Sequence, residues 1–152
     1  MRARDYRIGN YVSIRDEVQY IIGIESSNDW NVEDGLGVYE TIRTNLNPMN
    51  MSKDGLLYVS EAEPIVLAED WLEKFGFEPI HEAKDEFRFT DNENGFRLEL
   101  SEYYKKDGRA VFYYNLPGSD NHTCIAYCKY VHQLQNLYYS LSGKELTIKS
   151  GV

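Results

Sequence analysis

Between Tyr130 and Leu141 the chain reads YVHQLQNLYYSL, with Val131, Leu134, Leu137, Tyr138 and Leu141 recurring at steps of three and four. That spacing predicts an amphipathic helix whose apolar stripe covers a core, with His132, Gln133, Gln135, Asn136 and Ser140 on the other side. Gly143 ends the helix by taking a left-handed conformation without a Cβ clash, and Lys144 sets a cation near the negative end of the helix dipole. Leu137, midway along the stripe, is expected to make its deepest contact.

The start of the chain has a different period. Tyr6, Ile8, Asn10, Val12 and Ile14 alternate, Gly9 leaves room for a bulge, Asp16-Glu17 turns the chain, and Val18, Tyr20, Ile22 and Ile24 repeat the alternation. A period of two predicts a hairpin over residues 6–25 with those positions on its buried face. The run from Ser26 to Gly37 is polar and glycine-bearing, with Trp30 its one large apolar anchor, and reads as a loop or irregular edge. A short strand around Val38, Glu40 and Ile42, turn chemistry from Leu46 to Asp54 and a last strand at Leu56–Val59 complete a strand-rich lobe. Short strands separated by such turns point to a small SH3-like barrel.

Glu63-Pro64 marks the boundary, because proline disfavours helix in the preceding residue and cannot extend a central strand. Leu67, Trp71, Leu72 and Phe75 then share one face of a short helix with Glu69 and Asp70 in its first turn and Gly76 at its end. Ala68 stands where Ser, Thr or Asp would cap best, so the first turn should fray. Two hairpins follow: Phe87–Thr90 with Phe96–Leu100 around Asn94-Gly95, and Ala110–Tyr114 with Thr123–Lys129 around NLPGSDNH, joined through Lys105–Gly108. Arg88, Arg97 and Glu99 on the polar parity predict one solvated sheet face. The expected fold is therefore α+β. Residues 1–62 form a small β-barrel-like (SH3-like) lobe, and residues 63–152 a short helix, a four-stranded antiparallel sheet and a covering C-terminal helix.

Charge narrows the function classes. Sixteen basic against 25 acidic residues leave a formal charge of −9, which repels phosphate backbones and argues against nucleic-acid binding. No apolar run approaches the ~20 residues a spanning helix needs, and the basic start Met1–Arg7 is followed by no apolar signal core, so a cytoplasmic protein off the membrane is expected. Thirteen tyrosines against 6 phenylalanines and 2 tryptophans suit half-buried sheet faces. Four residues of strand separate Cys124 and Cys128 by ~13 Å, past the ~7 Å limit for a disulfide, so both thiols should be free.

His122, Cys124, Cys128 and His132 invite a zinc site, but two sulfurs at ~2.3 Å from one ion must approach within ~4 Å, and only a bulge or turn between the cysteines would allow it. Two buried small hydrophobes with surface histidines is the plainer reading, and neither metal nor cofactor is expected. His81-Glu82, in a loop after Pro79, and His132 are acid–base candidates with no partner fixed by spacing, and no nucleophile elbow, phosphate loop or HExxH motif is present. No catalytic residue is assigned. Arg88, Arg97 and Arg109 with Tyr103, Tyr104, Tyr113 and Tyr114 can form a basic, aromatic face able to stack bases, although tyrosines packed over arginine stems account for the same pattern.

Three segments carry a resemblance: Arg7–Val12 (RIGNYV), Pro64–Phe77 (PIVLAEDWLEKFGF) and Val131–Lys149 (VHQLQNLYYSLSGKELTIK). In order and spacing they resemble a group of small uncharacterised proteins encoded by phages, prophages and mobile elements of gut anaerobic bacteria. The relatives carry threonine at the position of Ala68. The resemblance implies a phage or mobile-element setting and brings no activity, ligand or catalytic residue with it.

The leading expectation is a non-enzymatic protein-interaction module that binds a host or phage protein, since tyrosine-rich acidic surfaces suit protein partners. A small-ligand binder holding a nucleotide-like molecule between the lobes, as a sequestering counter-defence protein would, is its rival, and an enzyme of unrecognised type the third. The candidate binding residues are Arg88, Arg97, Tyr104 and Tyr113 of the sheet and His132, Gln133 and Asn136 of the helix. Nothing in the pattern indicates an oligomeric state.

Overall fold

Arg15 and Asp16 both have positive φ, 52° and 66°, and this two-residue turn folds β1 (Tyr11–Ile14) back on β2 (Glu17–Asp29). Mirror-image turns of this kind match the right-handed twist of the strands they join. The turn lies one residue earlier than Asp16-Glu17. The structure is a computed structural model that describes residues 5–29, 37–45, 57–58, 62–80, 86–91, 96–101, 110–115 and 122–149. The turn expected over Leu46–Asp54, the tips of the two later hairpins, the Lys105–Gly108 connection and Trp30 lie outside them.

The chain divides into two units, Met1–Ile65 and Val66–Val152, each with its own antiparallel sheet. In the first, β1 and β2 are followed by β3 (Gly37–Thr44) and β4 (Leu57–Tyr58), paired in sequence order. Ser26–Asp29, expected in a loop, continue β2 and pair with Gly37–Glu40. The other edge of β1 is bonded too: the N–H of Ser13 donates to the carbonyl of Glu63 at 2.9 Å, and that of Glu63 to the carbonyl of Ser13 at 2.8 Å. Residues 62–65 thus stay with the first unit, and Ala62 joins Tyr6, Val12, Ile14, Ile21 and Ile42 in its core.

The buried parity of β2 is the reverse of the expected one. Gln19 and Ile21 point inward, while Val18, Tyr20 and Ile22 are exposed. Gln19 tolerates burial because the Thr44 hydroxyl, itself buried, donates to its side-chain carbonyl. A bulge between Ile21 and Gly23 then shifts the register, so that Ile24 pairs with Ile42 and packs on the core. Ile8, expected on the buried parity, is also exposed, since residues 5–10 form turns ahead of β1.

In the second unit α1 (Glu69–Lys74) buries Trp71 and Leu72, flanked by buried Leu67 and Phe75. Its C-terminus closes on Gly76 at φ 81°, where the N–H of Gly76 donates to the carbonyl of Glu73 and that of Phe77 to Leu72. This pair of bonds satisfies two otherwise orphaned carbonyls and sets Phe77 against the core. No side chain caps the start at Ala68.

The four expected strands are β6 (Glu86–Asp91), β7 (Phe96–Ser101), β8 (Ala110–Asn115) and β9 (His122–Cys128), and β5 (Glu78–Ile80) adds a fifth at the edge beside β6. Pro79, read as loop, lies within β5, where an edge strand can spare the missing N–H. Helix α2 (Val131–Ser142) is anchored to the inner face by Tyr138, whose ring meets Phe96 at 5.3 Å and Phe77 at 6.3 Å, both edge-on.

The buried positions of α2 are Val131, His132, Leu134, Gln135 and Tyr138. Leu137 is only half-buried and Leu141 is exposed, so Leu137 is not the deepest contact; Leu134 is fully shielded instead. The helix is rolled toward Gln135 because the chain after it returns along its side. Leu146 is buried, and its carbonyl accepts from the Gln135 amide. Gly143 ends α2 at φ 71°, its N–H donating to the Tyr139 carbonyl at 2.8 Å.

Candidate functional site

Strand register places the sheet candidates together. Arg97 on β7 lies directly opposite Tyr113 on β8, and this row continues to Thr90 on β6 and Cys124 on β9. Two residues along the strands, Arg88 is in register with Glu99. These positions occupy the parity opposite to buried Phe96, Leu98 and Phe112, but Val111, in register with Glu99, is buried on that parity too, so the expected solvated face is covered in part. Arg97 and Tyr113 are half-buried. Tyr103, Tyr104, Arg109 and the acid–base pair His81-Glu82 lie outside the described residues.

The helix candidates do not join them, since α2 covers the other face. His132 is buried, 3% exposed, and its ring stacks on Tyr130 at 5.7 Å and 9°, with the Lys129 ammonium 5.6 Å from the centre of the Tyr130 ring. It is not on a solvated face as expected. Gln133 plays a structural part, because its side-chain oxygen accepts from the N–H groups of Lys129, 2.8 Å, and Tyr130, 3.2 Å. Glutamine at the third helical position bonding back to the cap is one half of a capping box, and tyrosine in place of Ser or Thr at position 130 hides the signature in the sequence. Asn136 is half-buried, and its carbonyl accepts from the Ser140 hydroxyl at 2.7 Å.

The cysteines part company. A bulge beside Phe112 and Tyr113 makes Ala126 pair with Phe112 and Cys124 with Tyr113, which puts the two thiols on opposite faces of the sheet. Cys124 is exposed and Cys128 buried, both as free thiols, and burial pushes the Cys128 thiol up to about 12. One zinc ion cannot reach both faces. Among the described residues no group of three or more His, Cys, Asp or Glu side chains is placed to hold a metal.

Two features missed in the sequence stand out. On the first unit, Val18, Tyr20 and Ile22 are 48%, 41% and 46% exposed along one strand, Ile8 is 60% exposed, and Tyr11 packs edge-on to Tyr20 at 6.2 Å. Asp16, Glu17 and Glu63 are all exposed, the first two at the turn with Arg15 and the third opposite Ser13 of β1. Apolar residues on both parities of VQYII were the available signal: one set must face outward.

On the second unit, a cleft of about 130 Å³ lies between the end of α1 and the chain after α2. Phe75, Phe77, Tyr138 and Leu146 line it together with Lys144 and Lys149. Tertiary folding alone brings these together, which left no local signal.

No helix among the described residues is long and apolar enough to cross a membrane. No protein family, curated protein or solved structure matches the chain.

Proposed function

We propose that the protein is a non-enzymatic protein-interaction module, a cytoplasmic accessory protein of phage or mobile-element origin, and that the outer side of the β1–β2 hairpin is its working surface. The observation that carries this reading is the exposed stripe of Val18, Tyr20 and Ile22, with exposed Ile8 on the segment whose next residues, Gly9 and Asn10, bond the backbone of Ile21. Apolar side chains aligned on one strand expose surface that water disfavours, and such patches mark contact sites when polar residues rim them. Here the stripe's border carries the exposed carboxylates of Asp16 at the turn and Glu63 beside Ser13, with Arg15 also at the turn. It fits a protein partner that presents aliphatic or aromatic side chains ringed by lysine or arginine. A tyrosine at the centre is the residue type expected of an interface anchor.

The first unit is read as a small SH3-like barrel. Support comes from β1, which is hydrogen-bonded to β2 on one side and to Glu63 on the other, as closure of a short meander requires.

The test is affinity capture from the native host. Val18→Thr/Ile22→Thr keeps β-branched side chains, and Tyr20→Glu introduces a charge that binding would have to bury. Both should lose the partner that wild type retrieves, while Arg97→Ala on the second unit should retain it. Size-exclusion chromatography with light scattering should find the isolated wild type monomeric. A dimer dissolved by Tyr20→Glu would replace the foreign partner with a second copy of this chain.

A further inference from the structure

We propose that residues 144–149, the chain after α2, form a latch that opens and closes as one piece while the helices and sheet beneath it stay folded. Residues 145–149 belong to no helix or strand, and Leu146 is the only buried side chain among residues 144–149, all of them described. It is a single apolar anchor, sharing a cleft with Phe75, Phe77 and Tyr138. Lys144, Glu145 and Ile148 make further contacts, but from exposed positions, where polar contacts contribute little. A segment so anchored belongs to the low end of local stability.

The latch ties α2 to α1. The Gln135 amide of α2 donates to the Leu146 carbonyl at 3.0 Å, and the N–H of Lys149 donates to the carbonyl of Lys74, the last residue of α1, at 2.9 Å. Both partners suit release. Gln135, fully shielded while the latch is closed, is readily hydrated once it opens, where a leucine would be left bare. A carbonyl at a helix end is likewise satisfied by water. Under Lys149 lies Gly76, over which the lysine arm passes so closely that a methyl group there would overlap Cδ, Cε and Nζ. Without a side chain, Gly76 gives the arm a seat with nothing to interlock. The hold of α2 on the sheet does not run through the latch, since Tyr138 meets Phe96 and Phe77 directly. Opening therefore breaks the Gln135 and Lys149 bonds, uncovers Gln135 and widens the cleft, and leaves the packing of α2 on the sheet in place.

This device is independent of the hairpin surface. The experiment is amide hydrogen exchange of the full chain, followed by NMR at low urea concentrations, for wild type, Leu134→Ala and Leu146→Ala. In wild type the Lys149 amide should be protected, yet exchange at least about tenfold faster than the slowest amides of β8 once each is scaled to its unstructured rate, with a shallower dependence on urea because opening exposes less surface. Leu134→Ala destabilises the open and the closed latch alike, so it should speed the β8 amides and change Lys149 by less than about twofold. Leu146→Ala removes the anchor of the closed latch alone, so it should speed Lys149 about tenfold or more. If Leu134→Ala does not fold, the wild-type urea slopes decide, and equal slopes at Lys149 and β8 overturn the latch. So would a Lys149 amide unprotected in wild type, one that speeds up in step with β8 in Leu134→Ala, or one indifferent to Leu146→Ala, which would show the terminus fraying residue by residue.

Discussion

The side-chain amide of Gln135 donates to the carbonyl of Leu146 at 3.0 Å, and Gln135 is fully shielded from solvent. A polar residue at the centre of a helix's buried face is stable only because the returning chain brings it an acceptor. Gln135→Ala strips that carbonyl of its donor and opens a cavity, so urea melts should show a loss of about 1–3 kcal/mol. Gln135→Glu should cost at least as much, because a buried carboxylate cannot donate to the carbonyl while ionised.

Leu134 and Leu137 are three residues apart with different exposures, and they form a controlled pair. Leu134→Ala should destabilise by about 2–5 kcal/mol, the range for a fully buried leucine. Leu137→Ala, from a half-buried site, should cost clearly less in the same melts.

Periodicity alone located α2, both of its ends, the two later hairpins and the apolar face of α1, because each depends on residues close in sequence. The faces were less legible. Val18, Tyr20 and Ile22 alternate as well as Gln19 and Ile21 do, and it is partners on other strands, buried Val12 opposite Gln19 and the Thr44 hydroxyl bonded to it, that go with Gln19 inside. Leu137 and Gln135 tell the same story on a helix: the stripe was there, but Leu146 turned it. Of the candidate site residues, Arg97 and Tyr113 come together through register, whereas Gln133 belongs to the helix cap and His132 to the buried interior. Bulges at Ile22 and Ile125 shift parity, the first beside Gly23 and the second without a local sequence mark.

The β1–β2 turn stores backbone strain. Arg15 and Asp16 both occupy the left-handed region, which costs ~1–2 kcal/mol per ordinary L residue, less for aspartate. Asparagine followed by glycine is the pair best suited to such a turn, so the double substitution Arg15→Asn/Asp16→Gly should raise stability by roughly 0.5–1 kcal/mol, read as a higher urea midpoint at unchanged slope.

The thiols should differ in chemistry. Iodoacetamide at neutral pH should label exposed Cys124 and spare Cys128 until the protein unfolds. For Cys128 the folded-state thiol lies near 12, above the ~8.5 of an unfolded chain, so the unfolded state gives up its proton first as pH rises. Its stabilising contribution is complete below about pH 8.5 and falls by up to ~1.4 kcal/mol per pH unit toward 12. Cys128→Ala should lack that part of the alkaline slope in pH-dependent melts.

The most direct test of the hairpin as working surface is amide hydrogen exchange on the purified complex with the captured partner, compared with the protein alone. Partner binding should slow exchange at Ile8 and across residues 17–22, where Val18, Tyr20 and Ile22 are exposed. Protection confined to the strands from Phe96 to Cys128, with residues 17–22 unchanged, would contradict it.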